Sequence, residues 1–147
     1  MKDSYKRLLV DIEKMDGNTD EILLGICELL KGSVAHYDWV GFYMLKNGKL
    51  NLGPYSGAPT EHNQIAIGQG VCGQAIERES TMIVADVRSE DNYLACSLDV
   101  ISEIVVPIFK DSEIIGEIDI DSHRLDAFDQ YDKEFLEAVC EHVAGSL

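Results

Sequence analysis

The stretch from Ser102 to Ser122 constrains this chain more than any other. Ser102-Glu103-Ile104-Val105-Val106-Pro107-Ile108-Phe109 is branched and apolar, as a buried strand requires. Lys110-Asp111-Ser112 turns, and Glu113 to Ser122 returns as a second strand. Within it, Glu117-Ile118-Asp119-Ile120-Asp121 alternates, which puts both aspartates on one face and both isoleucines on the other. If the two strands pair, their polar faces meet and Glu103 joins the aspartates. A carboxylate on a sheet face is ordinarily just solvated. Three of them in apolar strands can instead bind a cationic amine, and a carboxyl with a raised pKa can donate a proton.

The remaining segments supply helices and further hairpins. Tyr5, Leu8, Leu9, Ile12 and Met15 recur at helical spacing, and Gly17-Asn18 breaks the run. Asn18 or Thr19 caps a second helix, whose stripe is Ile22, Leu23, Ile26, Cys27 and Leu30. Asp38 to Leu45 reads as a strand, Asn47-Gly48 as a hairpin turn, and Leu50 to Tyr55 as its return. Trp39 and Tyr43 are four apart on that strand and share a face, where they either pack or wall a pocket. A short helix over Cys72 to Arg78, a strand over Thr81 to Val87 and a long loop from Arg88 to Val100 follow. Phe135, Leu136, Val139, Cys140 and Val143 stripe a final helix. Hairpins dominate and helices bracket them. This is an α+β pattern: a central antiparallel sheet of about six strands with the N- and C-terminal helices on one face. The 147 residues fit one domain, 1–147. The apolar stripes of the terminal helices also suggest a homodimer.

Composition excludes several classes of partner. The formal net charge of −15 argues against nucleic acid and against anionic membranes. No apolar run approaches membrane-spanning length, and the start, Met1-Lys2-Asp3-Ser4-Tyr5, is unlike a signal peptide. A cytoplasmic location follows, where thiols rest reduced. The four cysteines and four histidines fall at no zinc-site spacing, so no structural metal is expected.

Two of the cysteines sit where chemistry is plausible. Cys72 lies in Gly68-Gln69-Gly70-Val71-Cys72-Gly73, at the start of the short helix. Unpaired N–H groups at such a start favour a thiolate, so its pKa is expected to be low. Cys96 lies in the long loop, in Asn92-Tyr93-Leu94-Ala95-Cys96-Ser97, and long loops in compact domains tend to be functional. Free cysteine also serves as a small core hydrophobe, the reading that suits Cys27 and Cys140 on their helical stripes.

The succession Gly68-Gln69-Gly70-Val71-Cys72-Gly73-Gln74-Ala75, Asp86-Val87, Ser102 to Pro107 and Gly116 to Ser122 resembles that of GAF domains. With Trp39-Val40-Gly41-Phe42-Tyr43 and Ala95-Cys96, it is most similar to the free methionine-(R)-sulfoxide reductases. The resemblance implies a GAF-like fold and an enzyme that reduces the R-sulfoxide of free methionine without metal or organic cofactor. It implies Cys96 as nucleophile and Cys72 as a second redox cysteine. Asp119 or Asp121 would be the proton donor, and Trp39, Tyr43, Glu103, Asp119 and Asp121 would bind the substrate. Thioredoxin or a similar dithiol would restore the thiols. Many members carry a third cysteine where this chain has Pro59-Thr60-Glu61-His62-Asn63. Its absence leaves Cys72 as the internal thiol that could resolve Cys96. The alternative within the same fold is a small-molecule-binding sensor module without turnover.

Overall fold

The computed structural model describes residues 1–90 and 99–147. The chain begins with two helices, α1 (Asp3–Glu13) and α2 (Thr19–Ser33). Asn18 caps α2 reciprocally: its side chain accepts from the Glu21 N–H, and the Glu21 carboxylate accepts from the Asn18 N–H. Strands β1 (Trp39–Lys46) and β2 (Lys49–Ser56) form a hairpin. Its turn residues Asn47 and Gly48 have φ of 55° and 75°, the left-handed pair that the strand twist favours. Then come β3 (Gln64–Ala66), α3 (Gly70–Arg78), β4 (Met82–Val84), β5 (Ser102–Lys110), β6 (Glu113–Ser122) and α4 (Gln130–Ala144).

The six strands form one antiparallel sheet in the order β3-β2-β1-β6-β5-β4. The hairpins read from the sequence are present. The strand expected over Thr81 to Val87 is only three residues long. Asp86 ends it by accepting the Arg88 N–H, which opens a 3-10 turn over Val87–Ser89.

Each face of the sheet buries its own cluster. Val40 and Phe42 of β1, Ile104, Val106 and Ile108 of β5, and Ile118 and Ile120 of β6 pack under α1, α2 and α4. Cys27 and Cys140 belong to this cluster, as their helical stripes required, and burial pushes both thiols up. The opposite face carries Trp39, Tyr43, Leu50, Val105 and the inner side of α3, including Val71, Cys72, Ala75 and Ile76.

Asp132 fastens the helical layer together. Its Oδ1 takes the hydroxyls of Tyr5 (2.5 Å) and Tyr37 (2.8 Å) and lies 2.9 Å from His36 Nε2. Its Oδ2 accepts the Asp129 N–H and closes the N-terminal cap of α4. Burial alone would raise this carboxyl. The donors from His36, Tyr5, the Asp129 backbone and Tyr37 outweigh that and hold it well below the usual range. A depressed carboxylate stabilises the fold above its unfolded value and loses that contribution as pH falls through the folded one. Asp132→Asn is therefore expected to cost about 3 kcal/mol at neutral pH, the scale of a lost charged acceptor among buried donors. Urea unfolding of both proteins should show this gap at pH 7 and a smaller one below about pH 4.

Candidate active site

Three cross-strand rows build the site on the face opposite α1, α2 and α4. Trp39 of β1 pairs with Asp121 of β6, which pairs with Glu103 of β5. Gly41 pairs with Asp119, and Asp119 with Val105. Tyr43 pairs with Glu117, and Glu117 with Pro107. Side chains alternate along each strand, so these rows all project to the same side. Glu103, Asp119 and Asp121 thus share a face of the sheet with Trp39 and Tyr43.

The alternation brings in a fourth acid as well. Glu117 has the same parity as Asp119 and Asp121 and was not singled out from the sequence, although the pattern that placed the aspartates applies equally to it. Glu117 and Asp119 are 0 % exposed, Asp121 1 % and Glu103 3 %. No backbone N–H and no Ser, Thr or Tyr hydroxyl among the described residues reaches the oxygens of Glu117 or Asp119.

Helix α3 closes this face. Its approach to β3 is tight: a Cβ on Gly73 would lie 2.4 Å from the Ala66 carbonyl oxygen, so only glycine lets the helix seat there. Seating α3 presses Cys72, in its first turn, onto the acids. The Cys72 sulfur lies 3.9 Å from Glu103 Oε2 and within hydrogen-bonding reach of Glu117. The low pKa expected for Cys72 at a helix start is not what this packing gives. Burial first, then the charges of Asp119, Glu117 and Glu103, push the thiol well up. The helix terminus is outweighed, and Cys72 rests as a protonated thiol.

The acids themselves are pushed up. Desolvation dominates at Glu103, Glu117 and Asp119, and the neighbouring carboxylates Asp119 and Asp121 add to it at Glu103. Glu103 and Asp119 share a hydrogen bond, which requires one of them to carry the proton. Among the described residues, no Lys or Arg figures in the charge balance of these three groups. The arrangement can do two things. It can hold a cationic group that the protein does not supply, and it can keep a proton on a carboxyl at neutral pH.

Tyr43, Cys72, Glu103 and Asp119 line one narrow cavity with His62 and Gln69, of about 10 Å³, room for about one water molecule. The Tyr43 hydroxyl donates to the His62 carbonyl at 3.0 Å and ties the segment before β3 to the sheet. Trp39 does not line this cavity. Its ring folds back over Gly41, where a Cβ would lie 2.3 Å from it, and stacks on Tyr55 with centroids 5.5 Å apart. Its indole N–H donates to the Ala58 carbonyl. Trp39 borders a wider neighbouring cleft of about 450 Å³ with Asp38, Ala58, Asp99, Val100 and His123. Cys96 lies outside the described residues, as does most of the loop expected over Arg88 to Val100.

Comparison with known proteins gives a consistent answer. The family model described as GAF domain matches residues 18–147. The fRMsr of Staphylococcus aureus, solved in complex with substrate, is 40% identical; the match covers 97% of this chain and 95% of that one, with a TM-score of 0.89. The free methionine-R-sulfoxide reductase of Neisseria meningitidis, solved in complex with its substrate, is 32% identical, with 99% and 90% coverage and a TM-score of 0.92. A curated relative from Saccharomyces cerevisiae, named free methionine-R-sulfoxide reductase, is 39% identical over 120 residues, 79% of this chain and 66% of the relative.

The buried acids carry a stability signature. A carboxyl whose folded pKa is raised favours the fold below its unfolded value, near 4.5 for glutamate. That contribution is lost as pH climbs from there through the folded value. Glu117→Gln removes the titration but keeps the shape. The variant should gain stability relative to the parent as pH rises from 5 to 8 in urea unfolding; a difference independent of pH would show that Glu117 is not held protonated.

Proposed function

This chain belongs to the GAF domain family, and we propose that, as one such domain over residues 1–147, it reduces free methionine (R)-sulfoxide. The observation that carries the reading is the group of buried carboxylates facing a cysteine on α3, of which Glu103, Glu117 and Asp119 have no Lys or Arg among the described residues in their charge balance. A free amino acid brings the missing cation as its ammonium. A methionine inside a peptide has none, so the same acids exclude it.

The assigned roles follow from the chemistry. Cys96 is the nucleophile: its thiolate attacks the sulfoxide sulfur. The Glu103–Asp119 pair delivers its shared proton to the sulfoxide oxygen, while Asp121, between Trp39 and Glu103 in its row, helps hold the ammonium. The sulfur–oxygen bond of the substrate breaks, methionine leaves reduced by two electrons, and Cys96 is left as a sulfenic acid. The Cys72 thiol then displaces that hydroxyl as water and forms a disulfide. Its raised pKa keeps it out of the first step, and in the second its proton leaves with the displaced hydroxyl as water. An external dithiol such as thioredoxin reduces the disulfide. Tyr43 walls the cavity, which must widen from its one-water size to admit the side chain, and Trp39 walls the neighbouring cleft through which the substrate enters.

A cytoplasmic location and a homodimer through the helical face complete the proposal. No helix among the described residues is long and apolar enough to cross a membrane. Val10 of α1 and Leu24 of α2 are exposed apolar residues on that layer.

The test is incubation with racemic free methionine sulfoxide and dithiothreitol, followed by chiral analysis. The R epimer should disappear and the S epimer remain. Cys96→Ser should abolish turnover, and Asp119→Asn should slow it by about 10²-fold or more. Cys72→Ser should retain dithiothreitol-supported turnover but lose recycling by thioredoxin. A protein that binds the sulfoxide and consumes neither epimer would be a sensor and not a reductase.

A further inference from the structure

The cavity floor offers a ligand set for which the proposed reaction has no use at rest. Cys72 Sγ, one oxygen of Glu103 and one of Asp119 all lie within 4.8 Å of one another, and all three residues are buried. The sulfur stands 3.9 Å from Glu103 Oε2. A tetrahedral zinc ion, with bonds of about 2.3 Å to sulfur and about 2.0 Å to oxygen, sets those two atoms about 3.5 Å apart. Small movements of two side chains therefore close the difference. The cavity these residues line is about 10 Å³, too narrow for an amino acid but wide enough for an ion or a single water.

A second observation points the same way. Glu117 is fully buried beside Cys72, and apart from that thiol neither of its oxygens meets a hydrogen-bond donor among the described residues. Such a group is costly in an apolar setting unless a proton or a cation neutralises it. The donors also select the ion. One thiolate with carboxylates suits a borderline-soft divalent ion such as Zn²⁺, whereas Mg²⁺ and Ca²⁺ take oxygen ligands only.

We propose that Cys72, Glu103 and Asp119 form a reversible binding site for a divalent transition-metal ion of the zinc type, with the Glu117 carboxylate beside it offsetting the ion's charge. Binding replaces the Cys72 thiol proton, and the proton between Glu103 and Asp119, by the metal, with no change of oxidation state. The ion occupies the carboxyl pair that would deliver the proton to the sulfoxide and ties up the thiol that would resolve Cys96. Zinc is then an inhibitor of turnover. This last step rests on the reductase reading, and the binding itself does not.

Co²⁺ titration of the reduced full-length protein tests the site directly, because a cobalt–thiolate bond has its own near-ultraviolet charge-transfer band. One equivalent should bind with that band, and Zn²⁺ should displace it. Cys72→Ser should lose the band and weaken Zn²⁺ by about 100-fold or more, since even outer contacts to a metal ligand are worth 10- to 100-fold. Glu103→Gln should weaken Zn²⁺ similarly while keeping the band, which covers the case of a Cys72 variant that fails to fold. Cys96→Ser should behave as the parent. Absence of saturable binding, a band that survives Cys72→Ser, or one that vanishes in Cys96→Ser would each overturn the site. Competitive inhibition by Zn²⁺ against free methionine sulfoxide supports the regulatory consequence, and an undiminished rate in the zinc-loaded protein refutes it. Metal binding by a protein that reduces no sulfoxide upholds the site and overturns the reductase reading.

Discussion

The pairing of β6 between β1 and β5 in one register is the constraint on which the rest depends. It sets Asp121 between Trp39 and Glu103, Asp119 between Gly41 and Val105, and Glu117 between Tyr43 and Pro107. Because side chains alternate, a slip of one residue would send these acids into the helix-covered core and the isoleucines into the cavity. The apolar set Ile104, Val106, Ile118 and Ile120 under α1, α2 and α4 makes such a slip prohibitively unfavourable. The register that buries the hydrophobic face thus also fixes the chemistry of the other face. Burying Glu103, Glu117 and Asp119 with no Lys or Arg among the described residues to balance them is unfavourable, and the protein meets this by keeping protons on some of them. The same unmet demand for positive charge makes the cavity selective for an ammonium and open to a metal ion.

How far the sequence discloses this depends on how local each signal is. Helix α2, the Asn47-Gly48 turn and the β5–β6 hairpin are written in neighbouring residues, and they are where the sequence puts them; of the two caps it allows for α2, Asn18 is the one used. So is the common face of Glu103, Asp119 and Asp121, because period-two alternation is a local property. Glu117 was available from the same alternation, but its position near the strand's centre marks it as functional only once α3 is seen to cover it.

Where tertiary packing decides, the sequence misleads. The helix start at Cys72 argues for an acidic thiol, yet burial against three acids from β5 and β6 makes it a weak one. Trp39 and Tyr43 share a face as expected, but Tyr55 across the β1–β2 ladder and the missing side chain of Gly41 draw the indole into the neighbouring cleft. The long strand expected after α3 is cut short by an aspartate that prefers to cap a turn. Each departure has a partner that is distant in sequence or a side-chain bond that competes with the ladder.

The central claim is that buried, uncompensated carboxylates make this site require a free ammonium. It is tested most directly by comparing initial rates on L-methionine (R)-sulfoxide and on its N-acetyl derivative, with the same dithiol. Acetylation removes the charge and leaves the reacting sulfoxide unchanged. The account predicts a fall in kcat/KM of about 10⁴-fold, the scale on which a site with buried polar groups rejects a ligand that leaves them unmatched. Comparable rates on the two substrates would contradict it.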